Sequence, residues 1–288
     1  NSSTDSRSWI IEGQKGIGKA SITKLITSQL LNINIKNSNP SKDDFIHPDI
    51  FILEKDFNKK NIPVEDIRKL KIFFSKTSFK DNGRFAIIDS INDLNNYGHN
   101  ALLKIIEEPP ENSFIFIINH MTTLMPSTIK SRCKVFRFQR IPSDIIAKLL
   151  LVKFKSKDEG LIKAYSLLSN GSVGDAFFLY ENNALNIYKI LCNLFIKANE
   201  LNEADINNFI NKNLNSKNKL DIIKINFELL SYLINKIIKI KVETENDFLF
   251  KEESITLNKL AKNLNFKSLF NIRMIIKNKF DYIKYDNN

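Results

Sequence analysis

The sequence predicts an α/β protein in two parts: a parallel-sheet domain over residues 1–140 and an all-helical remainder. Three observations support this. Five short β-branched or aromatic runs alternate with helical stretches between residues 9 and 140, strand signals stop after Ile141, and a glycine-rich turn ending in lysine joins the first run to the first helix.

In chain order, WIIEG (9–13) reads as a strand and Lys19 to Leu31 as a helix. IFIL (50–53) and RFAIID (84–89) are further strands, rich in the residue types that fit a pleated, buried surface. NALLKIIEE (100–108) is a helix that Pro109 and Pro110 must end, because proline lacks the donor and its ring clashes with the preceding turn. FIFIIN (114–119) and KVFRF (134–138) complete the set. Strands that are almost continuously apolar must be covered on both faces, which is the condition of a parallel sheet flanked by helices.

Beyond Ile141, Pro142 and Ser143 mark a helix start, with Ser143 expected as the cap of DIIAKLLLVKF. Helical patterns follow at 157–169 and 173–183, the second after a tight turn that Gly171 and Gly174 would permit. From about 185 everything reads as helix. Ile222, Ile225, Leu229, Leu233, Ile237 and Ile240 advance by three or four residues, forming one apolar face for packing against other helices.

With 288 residues, 43% hydrophobic and 26% charged, the chain exceeds one typical core and is too apolar for a disordered protein. Two cysteines, Cys133 and Cys192, are too few for a disulfide framework or a four-ligand zinc site, and a reducing interior fits them best. The richest apolar stretch, Leu229 to Val242, is broken by Asn235, Lys236, Lys239 and Lys241, so no membrane span and a cytoplasmic location are expected. The start lacks an initiator Met and lies almost on top of the glycine-rich turn, so N-terminal residues are expected to be missing. The net charge of +11 is spread evenly, +6 over residues 1–141 (21 basic, 15 acidic) and +5 over the rest (22 and 17). An even surplus is more often a solvated surface than a binding stripe for nucleic acid, and a direct DNA binder stays open as a further reading of the charge.

GQKGIGK contains the GxxxxGK spacing of a phosphate-binding loop as Gly13, Gly18 and Lys19, with Gly16 as a third hinge. Such a loop curls backbone N–H groups round an anion at a helix N-terminus, and the lysine reaches the outer phosphates. Hydrolysis also needs a Ser or Thr after the lysine to hold Mg²⁺, and an Asp closing a later strand. Ala20 stands where the hydroxyl should be, and Ser21, about 100° further round the helix, should point away. Asp89 is the candidate strand-end acid, but the next residue, where a carboxylate would activate water, is Ser90. The chain is therefore not expected to hydrolyse ATP by itself; a self-sufficient phosphate-loop ATPase rescued by Ser21 is the alternative.

GQKGIGKAS, HPDI (47–50), IPVEDIRKL (62–70), AIIDSINDLN (86–95), NALLKIIEEPPENSFIFIIN (100–119) and LMPSTIKSRCKVFRF (124–138) occur in order over residues 9–140. Together they resemble the delta-prime subunits of bacterial DNA polymerase III clamp loaders, members of the AAA+ family. The resemblance implies an AAA+ sheet domain (1–140), a small helical lid (141–184) and a C-terminal helical collar (185–288). It implies a stationary subunit in a hetero-oligomeric ring with motor subunits and a delta subunit, acting on a sliding clamp and on primed DNA through the complex.

The resemblance further implies that Arg132, in Ser131-Arg132-Cys133, projects in trans to the γ-phosphate of ATP held by an adjacent subunit. Asn119 resembles a polar sensor beside a degenerate nucleotide site of Gly13, Gly16, Gly18, Lys19 and Asp89. Asp175 stands where active relatives offer a second arginine. No cofactor is required, although a non-hydrolysed ATP or ADP is left open. Many relatives hold zinc on four cysteines before the HPD stretch; residues 31–46 have none, so zinc is expected to be absent. Arg68 is expected in an ion pair or subunit contact, and His47 and Cys133 in structural roles.

Overall fold

In a computed structural model of the chain, the described residues are 7–33, 45–56, 59, 61–79, 82–120, 125–196, 219–242 and 248–286. The chain divides into two compact units, Asn1–Arg140 and Ile141–Asn288.

The first unit is built on a five-stranded sheet in the order β2-β3-β4-β1-β5, every neighbouring pair parallel. Its strands are β1 (Ser8–Glu12), β2 (Ile50–Glu54), β3 (Arg84–Asp89), β4 (Ser113–Asn119) and β5 (Lys134–Arg137). Strand alternation sorts the side chains into two cores. Ile10, Ala86, Ile88, Ile115 and Ile117 face one side, where they pack with Ile67 and Leu70 of α2 (Val64–Phe74) and Leu102 and Ile106 of α3 (Asn96–Glu107). Ile11, Phe85, Ile87, Phe116 and Ile118 face the other, where Ala20 of α1 (Lys19–Leu30) and Leu31 cover them.

The expected strands are all present. Helix α2 was not assigned from the sequence, although Pro63 precedes it and Glu65 and Asp66 lie in its first turn, where carboxylates suit the helix dipole. Helix α3 starts earlier than expected, because the Asn95 side chain caps it by accepting from the Gly98 N–H at 2.8 Å, and it stops at Glu107, before the two prolines. A single helical turn, α4 (Ser127–Lys130), leads into Arg132 and β5.

The second unit is helical among its described residues: α5 (Ser143–Phe154), α6 (Glu159–Leu168), α7 (Val173–Glu181), α8 (Ala184–Ile196), α9 (Lys219–Lys241), α10 (Lys251–Asn263) and α11 (Phe266–Asp286). Ser143 is not the cap of α5: it is already helical, Pro142 occupies the cap position, and no side chain bonds there. Ser172 does cap α7, accepting from the Asp175 N–H at 3.1 Å, which makes Gly174 a first-turn helical residue rather than a turn former; Gly171, at φ +88°, makes the turn.

One core joins Ile146, Leu150, Tyr165 and Leu179 to Tyr188, Cys192, Leu229, Leu233 and Leu257, so residues on both sides of 184/185 share it. The face anticipated for α9 is buried at Ile222, Ile225, Leu229, Leu233 and Ile237. Residues 197–218, within the stretch expected to be helical, lie outside the described residues.

Candidate functional site

In an open parallel sheet, ligands bind beyond the carboxyl ends of the strands where the strand order reverses. Here β1 lies between β4 and β5, and the glycine-rich loop follows β1 directly. The register aligns Glu12 with Asn119 on one side and Arg137 on the other, and Glu54 with Asp89, which lines up a row of polar strand ends.

The loop is shaped by its glycines. Gly16 (φ +80°) and Gly18 (φ +89°) adopt left-handed conformations that glycine takes at no steric cost, and Gly18 is the residue from which α1 starts. At Gly13 closeness decides: a Cβ there would lie 2.7 Å from the Phe138 carbonyl oxygen and 2.7 Å from Ile17 Cδ1.

Lys19 is turned back onto the loop. Its Nζ donates to the carbonyl oxygens of Gly13 (2.8 Å) and Gln14 (2.6 Å), and the residue is only 3% exposed. Burial lowers its pKa to about 8; nearby Asp89 opposes that shift and Lys15 adds to it. A desolvated ammonium takes the nearest oxygens, and the loop's own carbonyls supply them.

Ala20 packs against the aromatic side of the sheet, and Ser21 is exposed. Thr23, the next hydroxyl on α1, donates to the Lys19 carbonyl at 2.8 Å. Asp89 is raised above the usual carboxylate range, chiefly by burial and then by Glu54. Lys24 pairs with Glu54 at 2.6 Å, and His120 Nε2 lies 3.7 Å from Asp89 Oδ1. Ser90 is fully buried and donates its hydroxyl to Asp93 at 3.0 Å. Among the described residues, no group of three or more His, Cys, Asp or Glu side chains could hold a metal ion. Position 20 offers no oxygen, so this donor set lacks the hydroxyl that holds Mg²⁺ beside the strand-end Asp89 in a working hydrolase.

Asn119 is engaged with a residue not singled out from the sequence. Glu12, 7% exposed, accepts from Asn119 Nδ2 at 3.0 Å and from Arg137 Nε at 2.9 Å. A glutamate ending a buried strand was the available signal, because a buried carboxylate needs partners.

Arg132 stands apart from this cluster. Its Nη2 lies 2.9 Å from Glu107 Oε1, and its Nη1 donates to the Thr128 carbonyl at 2.9 Å and to Ser131 Oγ at 3.3 Å. Ser131 Oγ in turn donates to the Thr128 carbonyl at 3.1 Å. The Arg132 side chain keeps 41% of its surface exposed.

Asp175 lies 3.9 Å from Lys224, whose ammonium sits 3.8 Å from the centre of the Phe178 ring. Arg68 is exposed on α2, and His47 Nδ1 accepts from the Asp49 N–H at 3.1 Å. Cys133 packs partly buried against the sheet core, and burial pushes its thiol up to about 11. Of residues 31–46, the cysteine-free segment on which the expected absence of zinc rests, 34–44 lie outside the described residues. Among the described residues, no helix is long and apolar enough to cross a membrane.

Residues 1–142 match the family described as DNA polymerase III, delta subunit. A DNA polymerase III subunit gamma of Buchnera aphidicola subsp. Acyrthosiphon pisum is 31% identical over 189 residues, covering 62% of this chain and 52% of the relative. The subunit gamma of Buchnera aphidicola subsp. Schizaphis graminum is 28% identical over 287 residues, covering 96% of this chain and 76% of the relative. The subunit delta' of the same organism is 31% identical over 140 residues, covering 44% of this chain and 41% of the relative. The chain thus spans about half the length of the first of these relatives.

Proposed function

We propose that this chain is an AAA+ clamp-loader subunit of DNA polymerase III, supported by its match to that family's model and to delta' subunits, and that within the family it is the stationary, ATPase-deficient member of the delta-prime type. In this reading it sits in a hetero-oligomeric ring with motor subunits and a delta subunit, and the ring loads a sliding clamp on primed DNA. Arg132 reaches a γ-phosphate held by the adjacent motor subunit.

One observation supports the inert pocket above the others. The residue after Asp89, where water activation requires a carboxylate, is a fully buried serine whose hydroxyl is committed to Asp93. Ala20, with no hydroxyl for a metal ion, agrees with it. The donated arginine is supported by chemistry and exposure. Charge accumulates on a transferred phosphoryl group, a guanidinium delivered in trans neutralises it, and the Arg132 side chain keeps 41% of its surface exposed while Glu107 and the Thr128 carbonyl hold its terminal nitrogens.

The similarity to gamma subunits favours a second reading, a motor-type ATPase. Turnover by the isolated chain separates the two. The stationary reading predicts no steady Mg²⁺-dependent phosphate release, whereas release that Lys19→Ala abolishes would establish the motor reading.

A further inference from the structure

We propose that Glu107 is the positioning residue of the Arg132 finger: its carboxylate, fixed at the end of α3, orients the guanidinium for the phosphate of the neighbouring subunit. The inference rests on the trans role of Arg132 proposed above, and it gives the Glu107-Glu108-Pro109-Pro110 run a purpose beyond ending a helix.

Glu107 is the last residue of α3, and Glu108 follows as its cap. Two consecutive carboxylates at a helix C-terminus oppose the helix dipole, so local helix stability does not account for them. What Glu107 gains is the 2.9 Å contact with Arg132 Nη2.

Both partners stand on rigid mounts. The prolines after Glu108 are tied to the base of β4, since the Pro110 carbonyl accepts from Ser113 Oγ at 2.6 Å and from Arg7 Nη1 at 3.1 Å. On the other side, the Arg132 N–H donates to the carbonyl of Ile129, which is 1% exposed in the sheet core.

The guanidinium is therefore held by Glu107 at one nitrogen, and by the Thr128 carbonyl and Ser131 Oγ at the other. A free arginine has many rotamers, and a finger that must find its orientation at each encounter loses rate; a fork already oriented loses less. The pair is also poorly suited to a stabilising role. The two side chains keep 41% and 39% of their surface exposed, a setting in which ion pairs contribute little to folding.

The test uses the reconstituted complex with loop-lysine substitutions in the other motor subunits, so that ATP turnover reports the site facing Arg132. Glu107→Gln preserves shape and Glu107→Ala removes the carboxylate. Both should lower kcat about three- to tenfold with KM for ATP changed less than about twofold, as expected when a positioned group is misplaced. Assembly and thermal midpoint should match the wild type. Adding Glu107→Ala to Arg132→Ala should lower kcat no further.

Unchanged or increased turnover in both Glu107 variants, while Arg132→Ala is impaired, overturns the positioning role and leaves the finger standing. A loss from Glu107→Ala that persists in full on the Arg132→Ala background overturns it as well, because Glu107 would then act elsewhere. If Arg132→Ala itself has no effect, the finger reading fails and this inference falls with it.

Discussion

The Lys19 ammonium lies 2.6 Å from the Gln14 carbonyl oxygen, so the cation of the phosphate-binding motif is bound by the loop it belongs to. The glycines and the lysine retain their spacing while the lysine acts as an internal strut.

Lys19 should make the stability of the first unit depend on pH. Its native pKa of about 8 lies below the ordinary 10.5, so between these values the unfolded chain holds a proton that the native chain has released, and stability rises with pH. The Cys133 thiol of this unit acts oppositely from about pH 9, since burial raises it to about 11 and the native state then holds a proton that the unfolded thiol has released. Comparison with Lys19→Met cancels it. Wild type should gain about 2 kcal/mol on the variant between roughly pH 7.5 and 9.5. Trp9, the single tryptophan, stacked 5.2 Å from Phe116, reports unfolding of this unit, and parallel pH curves would refute the assignment.

The two glycines flanking the loop should respond differently to alanine. At Gly13 the new methyl meets the Phe138 carbonyl at 2.7 Å, and overpacking should cost about 1–3 kcal/mol. At Gly18 nothing lies within 4 Å, so only the strain of φ +89° remains, about 1 kcal/mol. Urea titrations followed by Trp9 fluorescence should place Gly13→Ala below Gly18→Ala.

The HPD stretch is a structural clamp. Asp49, 1% exposed, accepts from the Phe79 N–H at 2.8 Å and faces Arg84 at 3.4 Å, while Arg84 donates to the Phe73 and Thr77 carbonyls. Asp49→Ala leaves a buried guanidinium without its counter-charge and should destabilise the unit by about 3–5 kcal/mol in the same titration. A loss under about 1 kcal/mol would contradict the clamp.

In the helical unit, Glu253 is fully buried and accepts from Tyr188 Oη at 2.8 Å and from Lys236 Nζ at 3.2 Å. Lys236 is 3% exposed and also donates to Tyr232 Oη at 3.1 Å. Glu253→Ala should cost about 3–5 kcal/mol, and Lys236→Met combined with Glu253→Leu should recover part of it, because apolar replacement removes both buried charges. Far-UV circular dichroism during denaturation measures both effects.

The sheet was legible because its central strands β1, β3 and β4 are buried on both faces and read as unbroken apolar runs. Helix α2 was not, since its buried positions Ile67, Leu70 and Phe74 are few and its start depends on Pro63 rather than on a capping side chain. The Ser143 expectation failed for a related reason: a hydroxyl beside a proline can sit one residue inside the helix. At the site, spacing revealed Gly13, Gly18 and Lys19 because a loop is local. Glu12 and Glu107 meet partners distant in sequence, Asn119 and Arg137 for one and Arg132 for the other, and no local spacing names those partners.

The central claim, an inert pocket paired with an arginine lent to a neighbour, is tested most directly by substituting Arg132 with alanine and measuring clamp- and DNA-stimulated ATP turnover of the reconstituted complex. Turnover at the site facing this chain should fall at least about tenfold, with assembly intact. Turnover equal to wild type in a correctly assembled complex would contradict the claim.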